Sequence, residues 1–267
     1  MDFKTQNKHQ KNFVPSKKLG QNFLTDDNVA QEIVNLSQIQ NYDLVIEVGP
    51  GRGALTKHLV VFNKPLIAIE LDKRLAEELK HKFHQYSHLE IINNDILEVD
   101  LLKISKNYKQ VLLISNLPYS ISTPMILKFL KQNKITSFVC MLQKEVVDRL
   151  IATSHSKTYG AFSVLVQYYA SIAKFLNVAP NSFTPIPAVE SQVVLISKNR
   201  LAFDNRWSSF IRQCFKYKRK TLLNNLKVDY SIELVNKKMA KLKLDSNTRA
   251  EELPVNTLFS LYQEMVK

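Results

Sequence analysis

The chain is poor in glycine, with 5 in 267 residues, and it has one tryptophan and two cysteines. Two cysteines, Cys140 and Cys214, cannot build a disulfide framework and show no metal-ligand spacing. Cys140 lies in the apolar run SFVCML and reads as a core filler. Such sparing use of thiols agrees with a reducing, cytoplasmic setting. No apolar run approaches the roughly 18 residues that a membrane span needs. The opening MDFKTQNKHQKNFVPSKK has no apolar segment of a secretory signal and reads as a flexible basic arm over 1–16. Neither HExxH nor a Cys/His cluster is present, so no metal is expected. His81, His84 and His88, spaced to share one helical face, read as a solvated face rather than a metal site.

Acidic residues are also in deficit, with 24 Asp+Glu against 37 Lys+Arg and a net charge of +13. That excess calls for a polyanionic partner. The absence of membrane features favours nucleic acid. So does the mixing of cations with aromatic rings in CFKYKRK.

Hydrophobic residues form 45% of the chain, enough for a large core. Continuous apolar runs at 43–49 (DLVIEVG), 65–71 (PLIAIEL), 89–93 (LEIIN), 110–116 (QVLLISN) and 137–143 (SFVCMLQ) read as strands buried on both faces. ALTKHLVVF, DKRLAEELKHKFHQY and TPMILKFLKQ between them carry helical periodicity, with Asp72 as an N-cap and Pro124 in a first turn. The alternation predicts an α/β fold with a doubly wound, mostly parallel sheet. KFLNV and SQVVLIS are expected to add an antiparallel edge, making seven strands. After residue 200 the pattern turns helical: WSSFIRQCFKYKRKTLLNNL, SIELVNKKMAKLKL and, after Pro254, LPVNTLFSLYQEMV. The predicted organisation is an arm over 1–16, an α/β domain over 17–200 and a small all-helical domain over 201–267.

Three of the five glycines, Gly49, Gly51 and Gly53, fall in one turn, VIEVGPGRGALT. Spending most of a scarce supply there implies close backbone approach to a ligand. As G-x-G-x-x-A with Glu70 about twenty residues on, the turn fits a site for an adenosine-containing ligand whose ribose diol the carboxylate holds. Asp95, in INNDIL, can accept from an adenine amino group. Glu47 sits inside the first buried run, where a carboxylate needs a cationic or hydrogen-bonding partner. A pyrophosphate would be repelled by it. A ligand with an ammonium and a sulfonium would be attracted, which favours S-adenosylmethionine over a nicotinamide dinucleotide.

LLISNLPYSIST then ends a buried strand in an amide, a rigid turn and a ring. Asn116 stands at the carboxyl edge of its strand, where open α/β sheets place ligands. Pro118 stiffens the turn so that carbonyls near Leu117 face outward as acceptors. Tyr119 offers a face on which a base can stack. Together they suit capture of an exocyclic amino group in front of a methyl donor.

GQNFLTD, EVGPGRGALT, IELD, NNDIL, NLPYSIS, MLQKEVVDRL and NSFTPIPAVESQVV occur in the order and spacing of the rRNA adenine N6-dimethyltransferases. The chain resembles that family over about residues 17–198, and LQKEVVDRL with SKTYGAFSVLVQYY looks most like its KsgA-type branch. The Erm-type branch, which methylates 23S rRNA, shares the first five motifs. The resemblance implies a Rossmann-like class I methyltransferase sheet and dimethylation of two adjacent adenosines in the 3′-terminal hairpin of 16S rRNA.

It also implies that Asn22 and Leu24 contact S-adenosylmethionine and that Gly49 and Gly51 line its methionine end. Glu70 then takes the ribose, and Asp95 with Ile96 meets the adenine. Asn116 sits between cofactor and target and touches both, Leu117, Pro118 and Tyr119 receive the target amine with it, and Phe183 flanks the flipped base opposite Tyr119. Lys17 and Lys18, with Arg212, Lys216, Lys218, Arg219 and Lys220, are expected to contact RNA phosphates in small-subunit rRNA or an immature 30S subunit. RLIATSHSKTYG reads as a substrate-facing loop, and nothing in the sequence demands more than a monomer. An Erm-type 23S rRNA adenine N6-methyltransferase and a ribosome-assembly RNA-binding factor with incidental methylation are the alternatives. A nicotinamide oxidoreductase would leave Glu47, NLPY and the charge unexplained.

Overall fold

The computed structural model describes residues 21–266, so the arm over 1–16, Lys17 and Lys18 lie outside the described residues. Among the described residues nine strands are formed: β1 Phe23–Leu24, β2 Leu44–Val48, β3 Leu66–Glu70, β4 Leu89–Asn93, β5 Val111–Asn116, β6 Ile135–Gln143, β7 Ala170–Val178, β8 Phe183–Thr184 and β9 Ser191–Lys198. Seven of them make one sheet in the order β4-β3-β2-β5-β6-β9-β7. Every pairing from β4 to β6 is parallel, and β9 runs antiparallel to both β6 and β7. The order reverses between β2 and β5, the switch point of a doubly wound sheet. The expected seven-stranded, mostly parallel fold is present with its antiparallel edge. β1 and β8 form a separate two-stranded ribbon that sequence periodicity did not reveal.

Both faces of the sheet are covered, which is why its strands read as unbroken apolar runs. Alternate residues feed different layers: Leu44, Ile46 and Leu113 join one core, and Val45, Leu112 and Ile114 the other. The second layer is closed by α1 Asp27–Leu36, α2 Thr56–Leu59 and α3 Lys73–Lys82, which contribute Ile33, Leu59 and Leu79. α4 Leu101–Ser105 adds Leu101 to the first layer. α5 Ser122–Leu130, α6 Lys144–Leu150 and α7 Ala161–Tyr169 close the first layer. Four further helices complete that layer: α8 Asn205–Cys214, α9 Leu222–Leu226, α10 Ile232–Lys241 and α11 Val255–Met265. Trp207 of α8 is fully buried and packs on Tyr168 of α7 at a centroid distance of 5.2 Å. Tyr262 of α11 donates to Asp204 at 2.6 Å, and Asp204 N–H donates to Tyr169 at 2.9 Å.

Several local expectations are corrected. Asp72 does cap α3, accepting from Arg74 N–H, but the helix stops at Lys82 where Phe83 turns into the core. His84 stays beside His81, with its ring centroid 6.4 Å away, but His88 turns off and meets the Val60 carbonyl at 2.9 Å. Among the described residues no group of three His, Cys, Asp or Glu is placed to hold a metal ion. ALTKHLVVF yields one short helix followed by a 3-10 turn over Val60–Phe62, closed by Asn63 at φ 50°. WSSFIRQCFKYKRKTLLNNL is two helices, α8 and α9, so KYKRK lies in the connection between them. No helix of the described residues is long and apolar enough to cross a membrane.

Candidate active site

A cavity of about 290 Å³ opens at the carboxyl edge of β2, β3 and β5. It is lined by Asn22, Leu24, Glu47, Gly49, Gly51, Glu70, Asp95, Ile96, Asn116, Leu117, Pro118 and Tyr119. Twelve residues scattered over nearly a hundred positions meet there because three parallel strands end side by side at the switch point.

The glycine turn forms one wall. Gly49, Gly51 and Gly53 all have positive φ (64°, 59° and 81°), a region that residues with a Cβ rarely enter. A Cβ on Gly49 would lie 3.8 Å from Pro118 Cδ, narrowing the passage between this turn and the NLPY turn. A Cβ on Gly53 would sit 2.8 Å from the Phe83 ring. Gly51 and Gly53 thus also serve packing, against Phe23 and Phe83.

Two buried carboxylates give the cavity its electrostatic character. Burial pushes the Glu47 carboxyl up to about 8, with the nearby Glu70 charge adding to the shift. Thr56 opposes it by donating its hydroxyl to Glu47 at 2.7 Å. A carboxylate so placed favours any ligand that brings a cation to it. Glu70 is raised as well, again chiefly by burial. Its two oxygens accept from the backbone N–H of Gly51 at 3.0 Å and of Asp72 at 2.9 Å. Those bonds fix the carboxylate at the end of β3 and tie the glycine turn to it. Asp95 uses one oxygen to accept from Leu97 N–H at 2.8 Å, leaving the other for the cavity.

Asn116 is held in one orientation. Its amide nitrogen donates to the Asn22 carbonyl at 3.2 Å. The amide oxygen is thereby left as an acceptor at the cavity wall. The Pro118 carbonyl departs from expectation: it accepts from Ile121 N–H at 3.1 Å and from the Ser122 hydroxyl at 3.4 Å. A carbonyl spent on a 3-10 turn is a poor second acceptor, so the Leu117 carbonyl is the better partner for Asn116. The Tyr119 hydroxyl is 3.2 Å from the Ser191 hydroxyl, which orients the ring.

Phe183 lies elsewhere. It is only 2% exposed, pairs through β8 with Leu24 of β1, and packs in the second core layer. It supports the ribbon behind the cavity instead of lining it. Arg212, Lys216, Lys218, Arg219 and Lys220 are all exposed. Lys218 donates to the Lys157 carbonyl at 2.9 Å, and His155 N–H donates to the Glu251 carbonyl at 2.8 Å. The 152–160 loop is therefore bound to the C-terminal helices.

Sequence reading missed Gln21, which lines the cavity and donates to Asp72 at 3.3 Å, and it missed Ser191. Gln21 is the first residue of the QNFL motif and was findable by position. Ser191 was not, because nothing local links it to Tyr119.

The donor and acceptor set fits S-adenosylmethionine: a glycine turn open to close approach, acceptors at Glu70 and Asp95, and a buried carboxylate suited to a cationic end. The family model for ribosomal RNA adenine dimethylase matches residues 12–267. A protein of Ureaplasma urealyticum called ribosomal RNA small subunit methyltransferase A is 40% identical, covering 97% of this chain and 95% of its own. One of the same name from Mycoplasma genitalium is 38% identical, covering 95% of this chain and 97% of its own. A dimethyladenosine transferase from Plasmodium falciparum superposes with a TM-score of 0.78 at 25% identity, covering 90% of this chain and 95% of that one. The 23S rRNA methyltransferase ErmE shares the fold, with a TM-score of 0.68 at 20% identity. The chain belongs to the ribosomal RNA adenine dimethylase family and is an S-adenosylmethionine-dependent rRNA methyltransferase.

Proposed function

We propose that this protein dimethylates N6 of two adjacent adenosines in the 3′-terminal hairpin of 16S rRNA, acting on an assembling small subunit in the cytoplasm. The observation that carries the reading is Asn116, whose Nδ2 is tied to the Asn22 carbonyl so that Oδ1 is presented as an acceptor. The full-length match to small-subunit methyltransferases supports the choice of RNA.

An adenine amino nitrogen is a weak nucleophile because its lone pair is delocalised into the ring. Asn116 Oδ1 and the Leu117 carbonyl accept its two N–H groups and favour a more tetrahedral nitrogen with a localised lone pair. Tyr119, oriented by Ser191, supplies the face that replaces lost base stacking. Glu70 and Asp95 hold the nucleoside end of the cofactor, and Glu47 holds its cationic end. Bound S-adenosylmethionine supplies the electrophilic methyl carbon. Positioning and preorganised acceptors provide most of the rate. The proton leaves to water once the nitrogen is cationic, so no strong base is required.

The division of labour assigns the cofactor and target base to residues 17–200. Arg212, Lys216, Lys218, Arg219 and Lys220 in the helical region 201–267, together with Lys17 and Lys18, contact RNA phosphates, and the protein acts as a monomer. The test is transfer of labelled methyl to small- and large-subunit rRNA, each naked and in immature particles. Label on adjacent adenines of the small-subunit particle, lost in Asn116→Ala, is the expected result. Label confined to large-subunit RNA would overturn it.

A further inference from the structure

A second cavity, of roughly 340 Å³, lies against the outer side of the glycine turn and shares Phe23, Leu24, Arg52 and Ala54 with the cofactor cavity. Its charged lining is entirely cationic: Arg52, Lys57 and Lys82, with no carboxylate in the wall. These side chains come from the glycine turn, α2 and α3, which sequence reading assigned no role beyond cofactor binding and packing. We propose that this cleft binds phosphodiester groups of the RNA strand beside the target nucleotide, with Lys57, Lys82 and Arg52 as the phosphate contacts. The inference rests on the RNA methyltransferase reading above and deepens it.

Three features favour phosphate over a base or an apolar group. The Arg52 guanidinium lies over the Phe23 ring at 5.6 Å, and the ring edge lies 3.1 Å from where a Gly51 Cβ would stand. The one aromatic ring of the cleft is thus committed to its wall. Lys82 is fixed: its ammonium lies over the Phe83 ring, 5.1 Å from the centroid, and donates to the Arg52 carbonyl at 3.0 Å. Burial pulls the Lys82 ammonium below its ordinary range, Glu78 opposes this, and the charges of Lys57 and Arg52 reinforce it. An anion placed between these cations relieves their mutual repulsion. Lys57 is partly neutralised by Asp27 at 2.5 Å, and Lys82 feels the opposing charge of Glu78.

The cleft is distinct from the exposed 212–220 cluster, because it adjoins the methyl-transfer cavity itself. A strand held there is fixed in register next to the target base, whereas contacts made elsewhere add affinity without register.

The experiment uses the full chain and a 16S rRNA 3′-terminal hairpin. RNA affinity is measured by anisotropy between about 50 and 200 mM salt for wild type, Lys82→Gln, Lys57→Gln/Lys82→Gln and Lys82→Arg. Each lost phosphate contact is expected to flatten the log–log salt slope by about 0.7–0.9. Lys82→Arg should retain the wild-type slope, and calorimetry should show unchanged S-adenosylmethionine affinity in all variants. An unchanged slope in the double variant overturns the proposal. So does a parallel loss of cofactor affinity, which would assign the lysines to the cofactor cavity. Failure of wild-type protein to label any rRNA would instead sink the function on which the inference rests.

Discussion

Glu47 and Asn116 show how single residues acquire chemistry from their surroundings. Glu47 was conspicuous as a carboxylate in an apolar run, and burial now places its proton affinity near pH 8. Folded protein therefore holds a proton that unfolded chain releases above about pH 4.5. The contribution of Glu47 to stability is fully present below that value and is lost as pH rises toward 8. Glu47→Gln should remove most of that decline, which denaturant midpoints at about pH 5 and pH 8 would show. The same substitution should weaken S-adenosylmethionine, because an amide cannot take on the negative charge that faces its cationic end. Asn116→Ala should lower kcat by about 10²–10³, the scale for loss of one preorganised hydrogen-bonding group in an active site. Single-turnover methyl transfer would read it, and an effect confined to KM would contradict the assigned role. Ser191→Ala should act more mildly through Tyr119, raising KM for RNA and leaving cofactor affinity intact.

Turns and ribbons, at the scale of elements, decide how these residues meet. The glycine turn is held from one side by Glu70 through Gly51 N–H and from the other by Phe23 and Phe83. Gly53→Ala combines a left-handed backbone, at about 1–2 kcal/mol, with a Cβ 2.8 Å from the buried Phe83 ring. It should be visibly destabilised in urea, and Phe83→Ala should relieve only the steric part. The turn was legible in the sequence because glycine is rare and clustered. The β1–β8 ribbon was not, because strands of two residues carry no periodicity. Its burial of Phe183 is why that ring does not line the cavity. The early stop of α3 and the break between α8 and α9 were hidden too, since tertiary packing of Phe83 and Cys214 set those ends rather than a proline or glycine.

The whole molecule is held together by one continuous core layer that runs from the sheet into the C-terminal helices. Trp207, the single tryptophan, sits within it, so its fluorescence reports the junction. The α/β part and the helices should unfold together, with fluorescence and far-UV circular dichroism giving the same midpoint. Trp207→Ala should cost about 3–5 kcal/mol. Separate transitions would contradict a shared core. The charge of +13 acts at this scale also: RNA affinity should fall steeply with salt while cofactor affinity changes little.

By itself the sequence determined the strand runs, the glycine turn, the acidic residues after the strands and the NLPY turn. These are local signals, carried by side-chain alternation, backbone permissiveness and the unlikelihood of a polar group in an apolar run. Only the tertiary structure decided that Pro118 spends its carbonyl on a turn, that Phe183 is core, that Ser191 orients Tyr119 and that Arg52, Lys57 and Lys82 share one cleft. Each of those depends on segments distant in the chain being brought within a few ångströms. No local pattern records which partners a folded chain will bring together.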